Sequence, residues 1–177
     1  MKKVLLMVVA LIAAALVSVI WIVKANDTEN KDKPIIMGNG TSSKNALIIY
    51  QKGRSSYSDK VAESIGNGLA DNGYSVVLNL PGDYLEKDLS KYDVVIFGSP
   101  VYAGQLSSQV IKYAESIENY GNAKVICYCV GADENKDESS EMKEYFKGNA
   151  IGSFKVNNKH FKLNKNLPAD KVKELLS

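Results

Sequence analysis

The residues best suited to chemistry lie in three short polar breaks between apolar runs. The first, Q-K-G-R-S-S-Y-S-D-K at 51–60, gathers the hydroxyls of Ser55, Ser56 and Ser58 beside Gly53 and the cation of Arg54. It opens into a segment with Val61, Ile65 and Leu69 four apart, the spacing of one helix face. A helix start carries unpaired N–H groups and a positive partial charge, so a phosphate is favoured there. Serine also caps helices; a cap needs one hydroxyl, and this loop has three. The second break, G-S-P-V-Y-A-G at 98–104, can turn sharply and bring backbone close to a flat ligand, with Tyr102 as a stacking ring. An ordinary strand-to-helix turn with a surface tyrosine is the competing reading. The third, Gly131-Ala132-Asp133, says little alone.

Other chemistries find no support. Cys127 and Cys129 are two apart in V-I-C-Y-C-V, on one face of a strand. That geometry disfavours a bond between them and suits two buried free thiols. His160 is the only histidine, and a partly exposed strand or loop residue is its simplest role. No cysteine, histidine or acid pair is arranged for nucleophilic or acid–base catalysis. No metal-ligand cluster is present, and no G-x-G-x-x-G follows the first strand, so a dinucleotide fingerprint is missing.

The elements that must position these loops alternate in kind. Apolar runs at 46–50, 74–80, 93–97 and 125–130 read as strands, with a weaker fifth at 151–156 extended through 160–163. Helices are expected after the first loop, over Gln105 to Asn119, Ser139 to Lys147 and Ala169 to Leu176. Strands apolar throughout are buried on both faces. Alternation with helices implies parallel βαβ units in a three-layer sandwich, with ligands beyond the carboxyl ends of the strands. The fold expected is α/β, with a five-stranded parallel sheet.

Residues 1–25 differ from the rest. Val4 to Val23 has no charge and spans roughly 30 Å as a helix, the thickness of a bilayer core. Trp21 suits an interface, and lysines flank both ends. A cleaved signal peptide is the rival, with Val23-Lys24-Ala25 as its site; the apolar run is longer than the roughly 7–15 residues usual there. The expected placement is a single-pass cell-membrane protein, anchored through residues 4–23. The side is open, because Lys2 and Lys3 oppose Lys24, Lys31 and Lys33. Residues 26–44 read as a polar linker, with Ile35, Ile36 and Met37 as an apolar exception. The domain is placed at 45–177. The net charge of +2 divides into +3 over residues 1–44 and −1 over the remainder. No concentrated basic face offers itself to nucleic acid.

The runs I-I-Y-Q-K-G-R-S-S-Y-S-D-K-V-A and L-S-K-Y-D-V-V-I-F-G-S-P-V-Y-A-G resemble the two FMN loops of the flavodoxin-like superfamily. The resemblance extends over nearly all of 45–177. It implies a flavodoxin-like fold holding FMN. Ser55, Ser56, Tyr57 and Ser58, beside Gly53 and Arg54, would hold the phosphate. Ser99, Pro100, Val101, Tyr102, Ala103 and Gly104 would line the isoalloxazine, with Gly131, Ala132 and Asp133 on its other side. The family's Thr-Gly-x-Thr is replaced here by Ser55-Ser56-Tyr57-Ser58, without the glycine, and the loop is about two residues longer. The implied function is electron transfer at a membrane with a redox partner protein or quinone. A quinone-linked dehydrogenase of the protoporphyrinogen type, and a tethered module that has given up FMN, are the alternatives. Whether the chain is an FMN-dependent oxidoreductase is left open.

Overall fold

Each of the apolar runs at 46–50, 74–80, 93–97, 125–130 and 151–156 forms the body of a strand. The computed structural model describes residues 2–26, 28, 32–38, 42–146 and 148–177. After a long helix α1 (Lys2–Asn26) come β1 (Ile35–Met37), β2 (Lys44–Tyr50), α2 (Tyr57–Asp71), β3 (Tyr74–Asn79) and β4 (Val94–Pro100). Then follow α3 (Ser108–Glu115), β5 (Lys124–Gly131), α4 (Glu138–Glu144), β6 (Ala150–Asn157), α5 (Asn158–Leu163) and α6 (Leu167–Leu176). The strand order is β1-β3-β2-β4-β5-β6. All neighbours pair in parallel except β1 with β3.

The sheet therefore has six strands rather than five. Ile35, Ile36 and Met37 lie within the expected linker and pair antiparallel with Leu78, Val77 and Val76. The sixth strand is an edge strand of three residues, and Ile36 stays 69% exposed.

Alternate side chains of each strand divide between two cores. Ile48, Tyr50, Ile96, Tyr128 and Val156 pack with Val61, Ile65 and Leu69 of α2 and Val172 of α6. Leu47, Ile49, Phe97 and Cys127 pack with Val110 and Tyr113 of α3 and Met142 of α4. Both cysteines are free and buried, and burial lifts Cys129 to about 12 and Cys127 further. They are inert apolar filling.

Two elements differ from expectation for local reasons. Residues 160–163 belong to helix α5, not to a strand: the Asn157 side chain accepts the Lys159 N–H at 2.7 Å and starts a new turn. Within it Phe161 is buried and His160 exposed. Helix α3 begins at Ser108 because residues 102–105 are consumed by a turn and the Ser107 hydroxyl then caps the helix. It ends early because Glu118 and Asn119 bond to the backbone around Lys87 and Leu89.

Gly98 is forced by packing. A Cβ there would lie 2.1 Å from Cζ of Tyr128, which is 1% exposed and paired opposite it. Gly98→Ala is expected to cost about 2–3 kcal/mol of overpacking, read as a lower urea midpoint.

Helix α1 is long and apolar enough over Lys2–Ala25 to cross a membrane, and none of that span is buried by the protein. A signal sequence shares these properties.

Candidate functional site

Helices α2 and α3 leave β2 and β4 toward opposite faces of the sheet. Neighbouring strands whose connections part in this way open a crevice at their carboxyl ends. The first and second loops meet there. Gln51 extends the pairing, its N–H donating to the Gly98 carbonyl at 3.1 Å. The Val101 N–H likewise donates to the Val130 carbonyl at 2.8 Å, which brings the third loop alongside.

In the first loop Arg54, Ser55 and Ser56 are exposed and Ser58 is buried. Ser56 stands at the N-cap of α2, yet its hydroxyl takes no bond from the helix. The helix start is thus left without a side-chain cap, although Asp59 lies in its first turn. Gly53 is closely packed: a Cβ on it would lie only 3.0 Å from both Ser58 Oγ and the Tyr102 hydroxyl. Tyr57 turns elsewhere. Its ring meets Phe161 edge-on at 6.3 Å, with the Lys162 ammonium 5.7 Å from its centre. Only its backbone remains to serve the loop.

The second loop is a tight hairpin. Tyr102 exchanges two backbone bonds with Gln105, and Ala103 and Gly104 between them have φ of 50° and 73°. Positive φ at both central residues is the type I′ pattern. Ala103 is the one non-glycine residue in that region among the described residues. Ser99 is buried and occupied internally: its hydroxyl donates to the Pro100 carbonyl at 2.9 Å and accepts the Ser107 N–H at 2.8 Å. It shapes the loop, as does buried Pro100. Tyr102 crosses to the first loop, where its hydroxyl accepts the Arg54 N–H at 2.5 Å.

Around the third loop Gly131 is buried, and a Cβ on it would lie 3.1 Å from Lys155 Cε and 3.3 Å from Val101 Cβ. Ala132 and Asp133 are exposed. Asn157 Nδ2 holds the Ala132 carbonyl at 2.8 Å, and Lys136 Nζ reaches the Gly104 carbonyl at 3.3 Å.

Three features here escape sequence reasoning. Gln51 is 1% exposed, and its side-chain Oε1 finds no partner among the described residues. Its signal is a polar residue directly after the apolar run at 46–50. Lys155 and Glu138 form a 2.6 Å ion pair beneath the third loop, at 11% and 1% side-chain exposure. Lys155 also donates to the Lys136 carbonyl. The pairing of residues seventeen apart leaves no local pattern to read. Asn157 holds loop and helix together, a role visible only once α5 is known.

A groove of about 620 Å³ runs along α2 against α5 and α6 and is lined by residues such as Ser64, Asn67, Lys165 and Asp170. It lies in the helix layer rather than beyond the strands, where the loops converge.

Five parallel strands in this order, with an uncapped helix start and a hairpin loop at the crevice, define a flavodoxin-like α/β protein. The family described as flavodoxin domain matches residues 47–162, and the chain belongs to it. No curated protein matches the chain. The fold is similar to that of a Streptococcus pneumoniae TIGR4 flavodoxin, at 16% identity and TM-score 0.57, over 73% of this chain and 98% of that one. Oxidised flavodoxin 2 from Bacillus cereus is similar at 18% identity and TM-score 0.57, over 75% and 97%. The rubredoxin oxygen:oxidoreductase of Desulfovibrio gigas is similar at 17% identity and TM-score 0.55, over 76% of this chain and 38% of that larger one.

Proposed function

We propose that the domain binds FMN at the carboxyl edge of its sheet and serves electron transfer at a membrane. The observation that carries this is the uncapped start of α2, set where the first loop meets the Tyr102 hairpin, with Gly53 closely packed between Ser58 and Tyr102. Ser55 and Ser58 hydroxyls and the backbone N–H groups of 54–58 would hold the phosphate, where the helix field favours an anion. Val101 to Gly104 and Gly131 to Asp133 would flank the ring, with Ser99 and Pro100 fixing the second loop from behind. FMN, when bound, supplies one- and two-electron redox chemistry; the protein supplies position and exclusion of water. The anchor reading of α1 makes the partner a membrane-associated redox protein or a quinone. The domain's charge of nearly zero gives little support to docking on a basic partner through an acidic face. Retention of FMN by the purified full chain through gel filtration tests the reading. A folded chain that sheds all flavin would favour the second one, a tethered module without a cofactor.

Tyr102 supplies a finer test. Its hydroxyl occupies the Arg54 N–H, one of the donors a phosphate would use. Tyr102→Phe frees that donor while keeping the ring, and is expected to tighten FMN binding several-fold, since such a bond is worth about 1 kcal/mol. Tyr102→Ala loses the ring as well and is expected to weaken binding, by the roughly 1–3 kcal/mol typical of aromatic stacking. Equilibrium fluorescence titration reads both.

A further inference from the structure

The chain enters the sheet from a defined end. β1 runs antiparallel to β3, with Ile35 opposite Leu78 and Met37 opposite Val76. It therefore begins beside the carboxyl end of β3, at the edge where the three loops lie. Two contacts fasten the preceding segment to the first loop. Gln51 Nε2 donates to the Thr28 carbonyl at 3.0 Å, and Lys52 pairs with Asp32. Gln51 is 1% exposed, so the first contact anchors in the interior. A gap of only about 90 Å³ remains between Asp32, Lys33 and Ile35 on one side and Tyr50, Lys52 and Leu78 on the other.

Distance then decides the orientation. The membrane-length span ends at Ala25. Thr28 is three residues on, a reach of about 10 Å at full extension. The polar zone of one leaflet is itself roughly 5–8 Å deep. The opposite edge of the sheet lies about 20 Å further away, along strands of about 3.3 Å per residue.

We propose that the loop-bearing edge of the sheet faces and contacts the lipid surface, with the headgroups as its partner and the first loop nearest. The proposal rests on the reading of α1 as a retained anchor. It gives a lipid-dissolved electron partner access to the cofactor edge without crossing open water.

The test uses the full chain in phosphatidylcholine vesicles that carry headgroup spin-labelled lipid. Single fluorophores are placed through Ser55→Cys at the loop edge and Asn122→Cys before β5 at the far edge. Cys127 and Cys129 are buried and stay unlabelled. Quenching several-fold stronger at residue 55 than at 122 is expected. A flexible Gly/Ser segment inserted after Ala25 should bring the two sites to similar values. Equal quenching in the unmodified chain, or stronger quenching at 122, would overturn the orientation. Intact mass of the same sample reports the anchor separately: loss of residues 1–25 would overturn the tether itself. Neither readout needs flavin, so a chain that fails to bind FMN still tests this orientation.

Discussion

Ser55→Ala combined with Ser58→Ala is expected to weaken FMN binding by well over tenfold while leaving the fold intact. Each hydroxyl would donate to a charged phosphate, and a hydrogen bond to a charged group is worth about 1.5–3 kcal/mol. The two together exceed the roughly 1.4 kcal/mol that corresponds to tenfold. Ser58 should carry the larger share. It is 4% exposed, whereas Ser55 is open to water, and a less hydrated bond to an anion is stronger. Neither hydroxyl caps a helix turn in a way that its loss would undo, because the N-cap position belongs to Ser56. An equilibrium titration of the double variant beside the parent, with circular dichroism to establish folding, measures the effect. Unchanged affinity in a folded variant would remove the first loop from the phosphate site.

Lys155→Met is expected to lower stability by about 3–5 kcal/mol near neutral pH, the largest loss foreseen for any single change here. Its cause is the partner left behind. Glu138 has 1% side-chain exposure and would be a buried carboxylate without its cation. Lys155 also holds the Lys136 carbonyl, so the third loop should loosen at the same time. Adding Glu138→Gln removes the stranded charge and should restore most of the stability. Urea unfolding of the two single variants and the double closes the cycle. Additive losses would mean that the pair contributes little as a pair.

The contrast between these sites shows what the sequence could convey. β2, β4 and β5 are continuous apolar runs, and their burial on both faces follows from composition alone. The loops after them follow too, because in a parallel sheet the carboxyl ends share one edge. β1 was not legible as a strand: three residues inside a polar stretch carry almost no periodicity, and their partner Val76–Leu78 lies about forty residues on. Residues 160–163 read as strand because Phe161 and Leu163 alternate. A side-chain cap from Asn157 decided the matter instead. Of the candidate residues, Ser55, Ser58, Tyr102 and Gly131 stand at the crevice loops. Tyr57 turns toward α5, and Ser99 is spent on the backbone of its own loop. Those outcomes depend on rotamers and on contacts far apart in sequence, such as Phe161 with Tyr57, which no local pattern encodes.

The sheet also sets how the protein should be handled. β1 belongs to it, and Thr28 and Asp32 bond to the first loop, so a fragment starting at residue 45 would remove part of the site's support. The decisive measurement is therefore an FMN titration of the full chain in detergent micelles, followed by flavin fluorescence and visible absorbance. The account predicts saturable one-to-one binding with a perturbed flavin spectrum. A folded chain that leaves FMN free and spectrally unchanged, even with the flavin in large excess, would contradict it.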